Sequence, residues 1–352
     1  MVDWFAEHQR DLPWRKKRSP YRIWLSELML QQTRVDQVVP YFERFLKRFP
    51  TIKALAEADQ QDVLKAWEGL GYYARARNLH KTAIYLHEEC RGRFPKSYAE
   101  LLALPGIGPY TAAAIASLAY GIDHAVLDGN VVRVLSRVFA FTPPVTRARN
   151  KQFLQTVAEA LLPPGRAAAF NEGIMELGAT VCKPRKPLCP CCPLNHVCKG
   201  QHDPHAYPVK DKKKPIPTIV VGAAAIFDRR KRVLITRRHE KGMLGGLWEF
   251  PGGKLEANET LESCTAREIR EELGLDIAVS EELLVVHHEY SHFKLEMHVF
   301  TCRITKGRPR AIDCADFAWC RIDELEAYPY SRADLYVVEA LKGAETRNSQ
   351  QN

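Results

Sequence analysis

The chain has 352 residues, 46% of them hydrophobic and 26% charged, with a formal net charge of +9. That length exceeds what one hydrophobic core ordinarily serves, so two domains and a linker are expected. No stretch approaches 18 uninterrupted apolar residues, so no membrane helix is expected. MVDWFAEHQRDLPWRKK also lacks the apolar core and small-residue cleavage site of a secretory leader, so a secreted protein is not expected.

Most of the chain's positive charge lies ahead of residue 217, and the remainder is slightly acidic. The first part is therefore expected to meet a polyanion, although a solvated basic surface has the same composition. Along its first 180 residues, YRIWLSELML, QVVPYFERFLKRF, IKALAEA, VLKAWEGL, YARARNLHKTAIYLHEE and FLQTVAEALL carry apolar residues at three- and four-residue spacings, which predicts helices. Pro50, Gly69, Gly71, Pro105 and Gly121 punctuate them. GQHDPHAYPVKDKKKPIPT then reads as an extended, solvated linker. Beyond it, TIVVGAAAIF, KRVLITRR, LLVVHHEY and LEMHVFTCRI read as strands, accompanied by helices in ETLESCTAREIREELG and RADLYVVEALKG.

Three features of the helical part carry chemistry. LPGIG at 104–108 joins two helices, and Gly106 and Gly108 leave amides uncovered before a helix start, which suits a DNA phosphate. Glu27 lies on a nearly all-apolar helix, where Trp24, Glu27, Gln31 and Arg34 are expected to form one polar stripe. Burial raises a carboxyl pKa as a general acid requires, and it equally describes a structural buried Glu. Asp128, immediately before a helix, reads either as an N-cap or as the ionised carboxylate that faces an oxocarbenium-like sugar.

Cys182, Cys189, Cys192 and Cys198 have the spacing C-x6-C-x2-C-x5-C. Four thiolates so close together suit a cubane iron–sulfur cluster, with zinc the runner-up, and Cys191 leaves the choice within the pair 191/192 open. The loop they clamp bears Lys183, Arg185 and Lys186 for phosphate contact. Cys90, Cys264, Cys302, Cys314 and Cys320 read as small buried apolar residues.

SELMLQQT, GLGYYARARNL, LPGIGPYTAAAI, VLDGNVVRVLSR and the cysteine spacing together resemble the MutY-type adenine DNA glycosylases of the helix-hairpin-helix superfamily, over nearly all of residues 2–198. The resemblance implies removal of adenine mispaired with 8-oxoguanine or guanine in double-stranded DNA, with the base flipped out of the duplex. It implies that Glu27 protonates the adenine and Asp128 stabilises the sugar cation, with Asn130, Tyr110 and Gln31 supporting the site. Gln32 and Tyr72 match positions that touch or wedge into DNA around the mismatch. Tyr110 stands where strand-cutting relatives carry a Schiff-base lysine, so a monofunctional glycosylase is expected. It further implies a [4Fe–4S] cluster, a monomer, and a cytoplasmic, nucleoid-associated location.

FPGGKLEANETLESCTAREIREELGL matches the Nudix pattern in full: Gly253, Glu259, then Arg267-Glu268-Ile269-x-Glu271-Glu272-x-Gly274-Leu275. On a helix, Glu268, Glu271 and Glu272 share a face that suits Mg²⁺, and Arg267 pairs with Glu271 at i+4. EYSHFKLEMHVF resembles the MutY-type family's lesion-reading segment, which implies that Ser291 and His292 contact the oxidised base with Tyr290 or Phe293 packed nearby, although ordinary strand alternation reads the same way. The expected architecture is multidomain. An all-α helix-hairpin-helix glycosylase domain (1–181) is followed by an iron–sulfur cluster loop (182–198), a linker (199–217) and an α+β Nudix-like lesion-recognition domain (218–345). Two rival readings stand beside it: a bifunctional chain that also hydrolyses oxidised nucleoside triphosphates with Mg²⁺, and a cluster-bearing protein that binds DNA without catalysis.

Overall fold

The computed structural model describes residues 1–212 and 215–350, the last five by backbone alone. The chain divides into two compact units, Met1–Glu57 with Asn78–Lys213, and Ala58–Arg77 with Lys214–Asn352.

The first unit is helical. It begins with α1 (Val2–His8), α2 (Pro13–Lys16), α3 (Pro20–Leu30), α4 (Val35–Arg48) and α5 (Ile52–Ala56). The chain then contributes α6 (Gln60–Trp67) and the start of α7 (Ala74–Glu88) to the second unit. It returns for the rest of α7, α8 (Tyr98–Ala103), α9 (Pro109–Ala114), a π-helical turn over Ile115–Ala119, α10 (Gly129–Val138), α11 (Ala148–Ala160) and α12 (Ala167–Thr180).

Local chemistry sets the ends of these helices. Ser19 accepts from the Arg22 amide, and Pro20 occupies the first turn of α3. Helix α3 is apolar nearly all round and buries Ile23, Trp24, Leu25, Leu28 and Met29, with Trp24 edge-on to Phe94 at 5.2 Å. Helix α4 buries Val38, Phe42 and Phe45, at i, i+4 and i+7, and leaves its other face to solvent. Gly178 of α12 passes so close to α10 that a Cβ there would lie 2.6 Å from the Asn130 Cβ.

The second unit is built on a mixed seven-stranded sheet of β1 (Thr218–Phe227), β2 (Val233–Arg237), β3 (Trp248–Glu249), β4 (Gly252–Lys254), β5 (Asp276–Glu289), β6 (Lys294–Lys306) and β7 (Asp316–Cys320). Its main order is β3-β2-β1-β6-β5; β1 and β6 pair in parallel, and the other pairs are antiparallel. Helix α13 (Leu261–Leu273) contributes Ile269 and Leu273 to one core. Helix α14 (Arg332–Gln350) contributes Val337, Val338 and Leu341 to the other. Alternation along β6 feeds both, with Met297 and Val299 in one and Phe300 and Cys302 in the other.

Helix α6 is tied into this unit. Gln61 accepts from Trp248 Nε1 at 3.0 Å and donates to the Gly246 carbonyl at 3.0 Å, and Glu68 accepts from the Tyr330 amide at 2.9 Å.

Three expectations require correction. The stripe through Glu27 is not continuous helix, because α3 ends at Leu30; Gln31 is its extended C-cap and Arg34 already caps α4. The start of the expected linker is packed rather than solvated: Val145 N–H donates to the Val209 carbonyl at 2.9 Å, and Arg137 Nε donates to the Pro204 carbonyl at 2.8 Å. Residues 290–293 are not strand. Tyr290 N–H donates to the Phe293 carbonyl at 2.9 Å, which closes a turn between β5 and β6. Of the scattered cysteines, Cys264, Cys302, Cys314 and Cys320 are buried, whereas Cys90 is half-buried.

Candidate active site

A cavity of about 1140 Å³ in the first unit is lined by Glu27, Gln31, Gln32, Tyr110, Asp128 and Asn130, together with Arg15, Glu172 and Met175. Residues far apart in sequence, on α3, α9, α10 and α12, thus meet around one space.

Glu27 is 5% exposed. Burial pushes its carboxyl up to about 7, with the neighbouring Asp128 and Glu172 adding to the rise and Tyr110 and Arg15 opposing it. Tyr110 OH donates to Glu27 Oε2 and also lies 3.6 Å from Met175 Sδ. Burial first, then the Glu27 charge, holds the Tyr110 phenol well above its ordinary value, so it remains a donor. Gln31 Nε2 approaches Thr111 Oγ1 at 3.4 Å.

Asp128 caps α10. Its Oδ1 accepts from the Val131 amide and its Oδ2 from Asn130 Nδ2, both at 2.7 Å. Burial raises this carboxyl above its ordinary value while those bonds oppose the shift. Asn130 is held in turn by Arg133, whose Nη2 donates to Asn130 Oδ1 at 2.8 Å and to the Gly178 carbonyl at 2.6 Å. Arg133 Nε donates to the Cys182 carbonyl at 2.7 Å, so one side chain joins the capping carboxylate to the cysteine loop.

The wall of the cavity holds residues that motif spacing did not reveal. Arg15 Nε pairs with Glu172 at 3.1 Å and Arg15 Nη2 with Glu176 at 2.9 Å, and Arg10 and Arg18 complete the network. In the sequence Arg15 is one of a basic run, PWRKKR, and only tertiary contact singles it out.

The hairpin between α8 and α9 has the expected form. Gly106 has φ +73°, and a Cβ there would meet Asn78 Cβ at 2.7 Å. Gly108 begins α9 with no side-chain cap and Pro109 follows, so the first amides stay uncovered. Gln32 (φ 60°) and Tyr72 (φ 50°) both hold left-handed backbone, which is unfavourable for L side chains, and both are exposed. Lys183 and Arg185 are exposed too.

Cys182, Cys189, Cys192 and Cys198 line one pocket with Arg137, while Cys191 is exposed and does not line it. Burial, and then the neighbouring cysteines, raise the Cys192 thiol. Among the described residues no three His, Cys, Asp or Glu side chains converge as ligands of a single metal ion. Four thiols around one pocket are the donor set of a cubane iron–sulfur cluster, with zinc the alternative.

In the second unit, Tyr72 OH and Ser291 Oγ are hydrogen-bonded, and His292 is exposed beside them in the chain. Tyr290 stacks on Phe293 at 4.9 Å and donates to Ser331 Oγ at 3.4 Å. Among the Nudix-pattern carboxylates, Arg267 engages three and the fourth is held apart from it. Arg267 binds Glu259 at 2.7 Å, Glu268 at 2.9 Å and Glu271 at 3.0 Å. Glu272 is instead largely buried, and burial together with the charge of Glu249 pushes it up to about 9.

Residues 25–162 match the family model of the HhH-GPD superfamily base excision DNA repair protein, and residues 222–340 match that of the NUDIX domain. Fold and site thus define a helix-hairpin-helix repair protein with a C-terminal Nudix-like domain. The adenine DNA glycosylase of Homo sapiens is 32% identical over 98% of this chain and 74% of its own length. That of Buchnera aphidicola subsp. Schizaphis graminum is 34% identical over 84% of each. A thermostable thymine-DNA glycosylase is similar in structure, with TM-score 0.52 and 31% identity over 57% of this chain and 93% of its own. An endonuclease III in non-covalent complex with DNA shares the fold, with TM-score 0.50 and 22% identity over 57% of this chain and 91% of its own. The chain belongs to the adenine DNA glycosylase family. It is a DNA glycosylase and binds double-stranded DNA. Among the described residues no helix is long and apolar enough to cross a membrane.

Proposed function

We propose that the chain hydrolyses the N-glycosyl bond of adenine mispaired with 8-oxoguanine or guanine and leaves an abasic site. The observation that carries this reading is the pairing of unlike carboxyls in one cavity: Glu27, buried and raised to about 7, and Asp128, held by two donors. Glu27 in its protonated form gives its proton to the flipped adenine and makes the base a better leaving group. Asp128, ionised, faces the positive charge that develops on the sugar as the bond breaks, and water then adds to the sugar. Tyr110 keeps Glu27 oriented and, being a phenol, forms no imine with the product, which supports a monofunctional enzyme.

The cysteine pocket fits a [4Fe–4S] cluster held by Cys182, Cys189, Cys192 and Cys198. When bound, the group supplies a rigid anchor for the loop that carries Lys183 and Arg185 to the DNA backbone. Gly106, Gly108 and Gln32 belong to the same DNA-facing set. In this reading residues 1–181 with the loop 182–198 carry the chemistry, and residues 218–345 read 8-oxoguanine through Ser291 and His292, with Tyr290 packed behind. The protein acts as a monomer on cytoplasmic, nucleoid DNA. The hydrogen bond between Tyr72 and Ser291 supports a joint role, with the wedge held beside the reader. Nucleotide hydrolysis with Mg²⁺ is the second reading, because Arg267 engages Glu268 and Glu271.

Single-turnover adenine release from A:8-oxoguanine and A:G duplexes tests the proposal. Glu27→Gln is expected to lose release on both duplexes while still binding them. Ser291→Ala is expected to narrow the preference for 8-oxoguanine by roughly fivefold, the worth of one hydrogen bond of about 1 kcal/mol. Full release by Glu27→Gln would overturn the catalytic assignment, and an unchanged preference in Ser291→Ala would overturn the reader.

A further inference from the structure

Arg137 ends the last turn of α10 and is 3% exposed. Its guanidinium makes six hydrogen bonds. Nη1 donates to Cys182 Sγ at 3.2 Å, to the Cys182 carbonyl at 3.3 Å and to the Lys183 carbonyl at 2.8 Å. Nη2 donates to the Pro184 carbonyl at 3.2 Å, and Nε to the carbonyls of Pro204 and Tyr207 at 2.8 and 3.3 Å. One side chain therefore joins the first-ligand end of the cysteine segment to the chain that follows Cys198. None of the six acceptors is a carboxylate.

A buried guanidinium without a counter-charge is strongly unfavourable, and carbonyl dipoles solvate it without neutralising it. The nearest candidate for an anion is the pocket that Arg137 lines together with Cys182, Cys189, Cys192 and Cys198. A [4Fe–4S]²⁺ core bearing four thiolates is a net dianion, so it supplies the missing charge.

We propose that Arg137 is the charge partner of the cluster, hydrogen-bonded to it through the Cys182 sulfur, and that it sets both the cluster's retention and its reduction potential. This rests on the cluster reading above. A positive charge and an N–H donor at a ligating sulfur favour the more negatively charged, reduced state and so raise the potential. The same bonds clamp the segment that bears Cys182 from within α10, which slows the loss of iron. Arg133 donates to the carbonyl of Cys182 and also feels its charge, so replacing it separates nearby charge from the hydrogen bond to sulfur.

The experiment compares the parent chain with Arg137→Met, Arg137→Lys and Arg133→Met, each purified with its metal. Metal and acid-labile sulfide are measured per chain, followed by the rate of iron loss to a chelator and the midpoint potential at an electrode. Four iron and four sulfide per parent chain are expected; zinc in their place would overturn the cluster reading and the proposal with it. With iron present, Arg137→Met is expected to lose it at least tenfold faster and to show a more negative potential, with a larger shift than Arg133→Met, which removes a nearby charge but no bond to sulfur. A parent-like potential and loss rate in Arg137→Met would overturn the proposal. If Arg137→Met retains no iron at all, Arg137→Lys decides: a negative shift supports the role of Arg137, and an unchanged potential refutes it.

Discussion

Tyr110 donates its hydroxyl hydrogen to the carboxylate of Glu27 inside a cavity that also holds Asp128. Burial lifts Glu27 towards neutrality, and the tyrosine restrains that rise. In the proposed mechanism Glu27 acts protonated, so activity is expected to fall as pH rises through about 7. The tyrosine bond lowers the Glu27 pKa, so Tyr110→Phe is expected to move this alkaline limb to higher pH and to reduce the maximal rate. Single-turnover rates across pH 5–9 check both. Glu27→Gln has no titrating acid, and its residual rate is expected to be roughly a hundred- to ten-thousandfold lower and flat across that limb.

Asp128 has two duties that substitutions separate. Asparagine caps a helix as well as aspartate does, so Asp128→Asn is expected to leave thermal stability nearly unchanged while abolishing release. Asp128→Ala loses both, at a cost of about 1 kcal/mol in stability beyond the lost activity. Calorimetry beside single-turnover assays distinguishes the two duties, and an active Asp128→Asn would show that its charge is not used.

In the proposed cluster site, side-chain direction favours Cys192 over Cys191 as the ligand. Cys192 lines the pocket and Cys191 faces solvent. Cys191→Ser is expected to keep the parent iron content and visible absorption. Cys192→Ser is expected to lose iron, and with it the order of the loop bearing Lys183 and Arg185, so DNA binding weakens as well.

The second unit carries three raised carboxyls: Asp334 at about 6, Glu249 at about 7 and Glu272 at about 9, each lifted mainly by burial. Carboxyls with folded pKa values above their unfolded ones bind protons more tightly in the folded state. Their contribution is fully present below the unfolded values near 4 and is lost as pH rises through 6, 7 and 9. Arg238 pairs with Glu249 and moderates the effect. Thermal unfolding of the full chain is expected to show this unit weakening from pH 5 to 9, and Glu272→Gln is expected to flatten the upper part of that decline.

Much of this molecule is readable from local pattern. Apolar spacing marks α3 and α4, β-branched runs mark β1 and β6, and the fixed positions around Glu27, LPGIG, Asp128 and the four cysteines mark the chemistry. Local reading fails where contact decides. The stripe beyond Glu27 stops at Leu30, where the backbone leaves the helix and carries Gln31 to the cavity by another route. The segment at 290–293 alternates like a strand but closes as a turn, because Tyr290 and Phe293 bond and stack across it.

By itself, the sequence determined the family and the two kinds of fold and singled out the candidate acid, capping carboxylate and thiol set, because each depends on residue type at short spacing. Only the tertiary structure decided that Glu27, Tyr110, Arg15 and Glu172 share one desolvated space, and that shared space is what displaces the proton affinity of Glu27. It also decided the fate of two residues that pattern treats alike. Arg137 looks like any basic residue on a helix, yet it is buried against a cysteine sulfur. Glu272 looks like its neighbours Glu268 and Glu271, yet burial keeps it protonated while they pair with Arg267. Charge and type are written in the chain, but the surroundings that set their energies come from segments far apart along it.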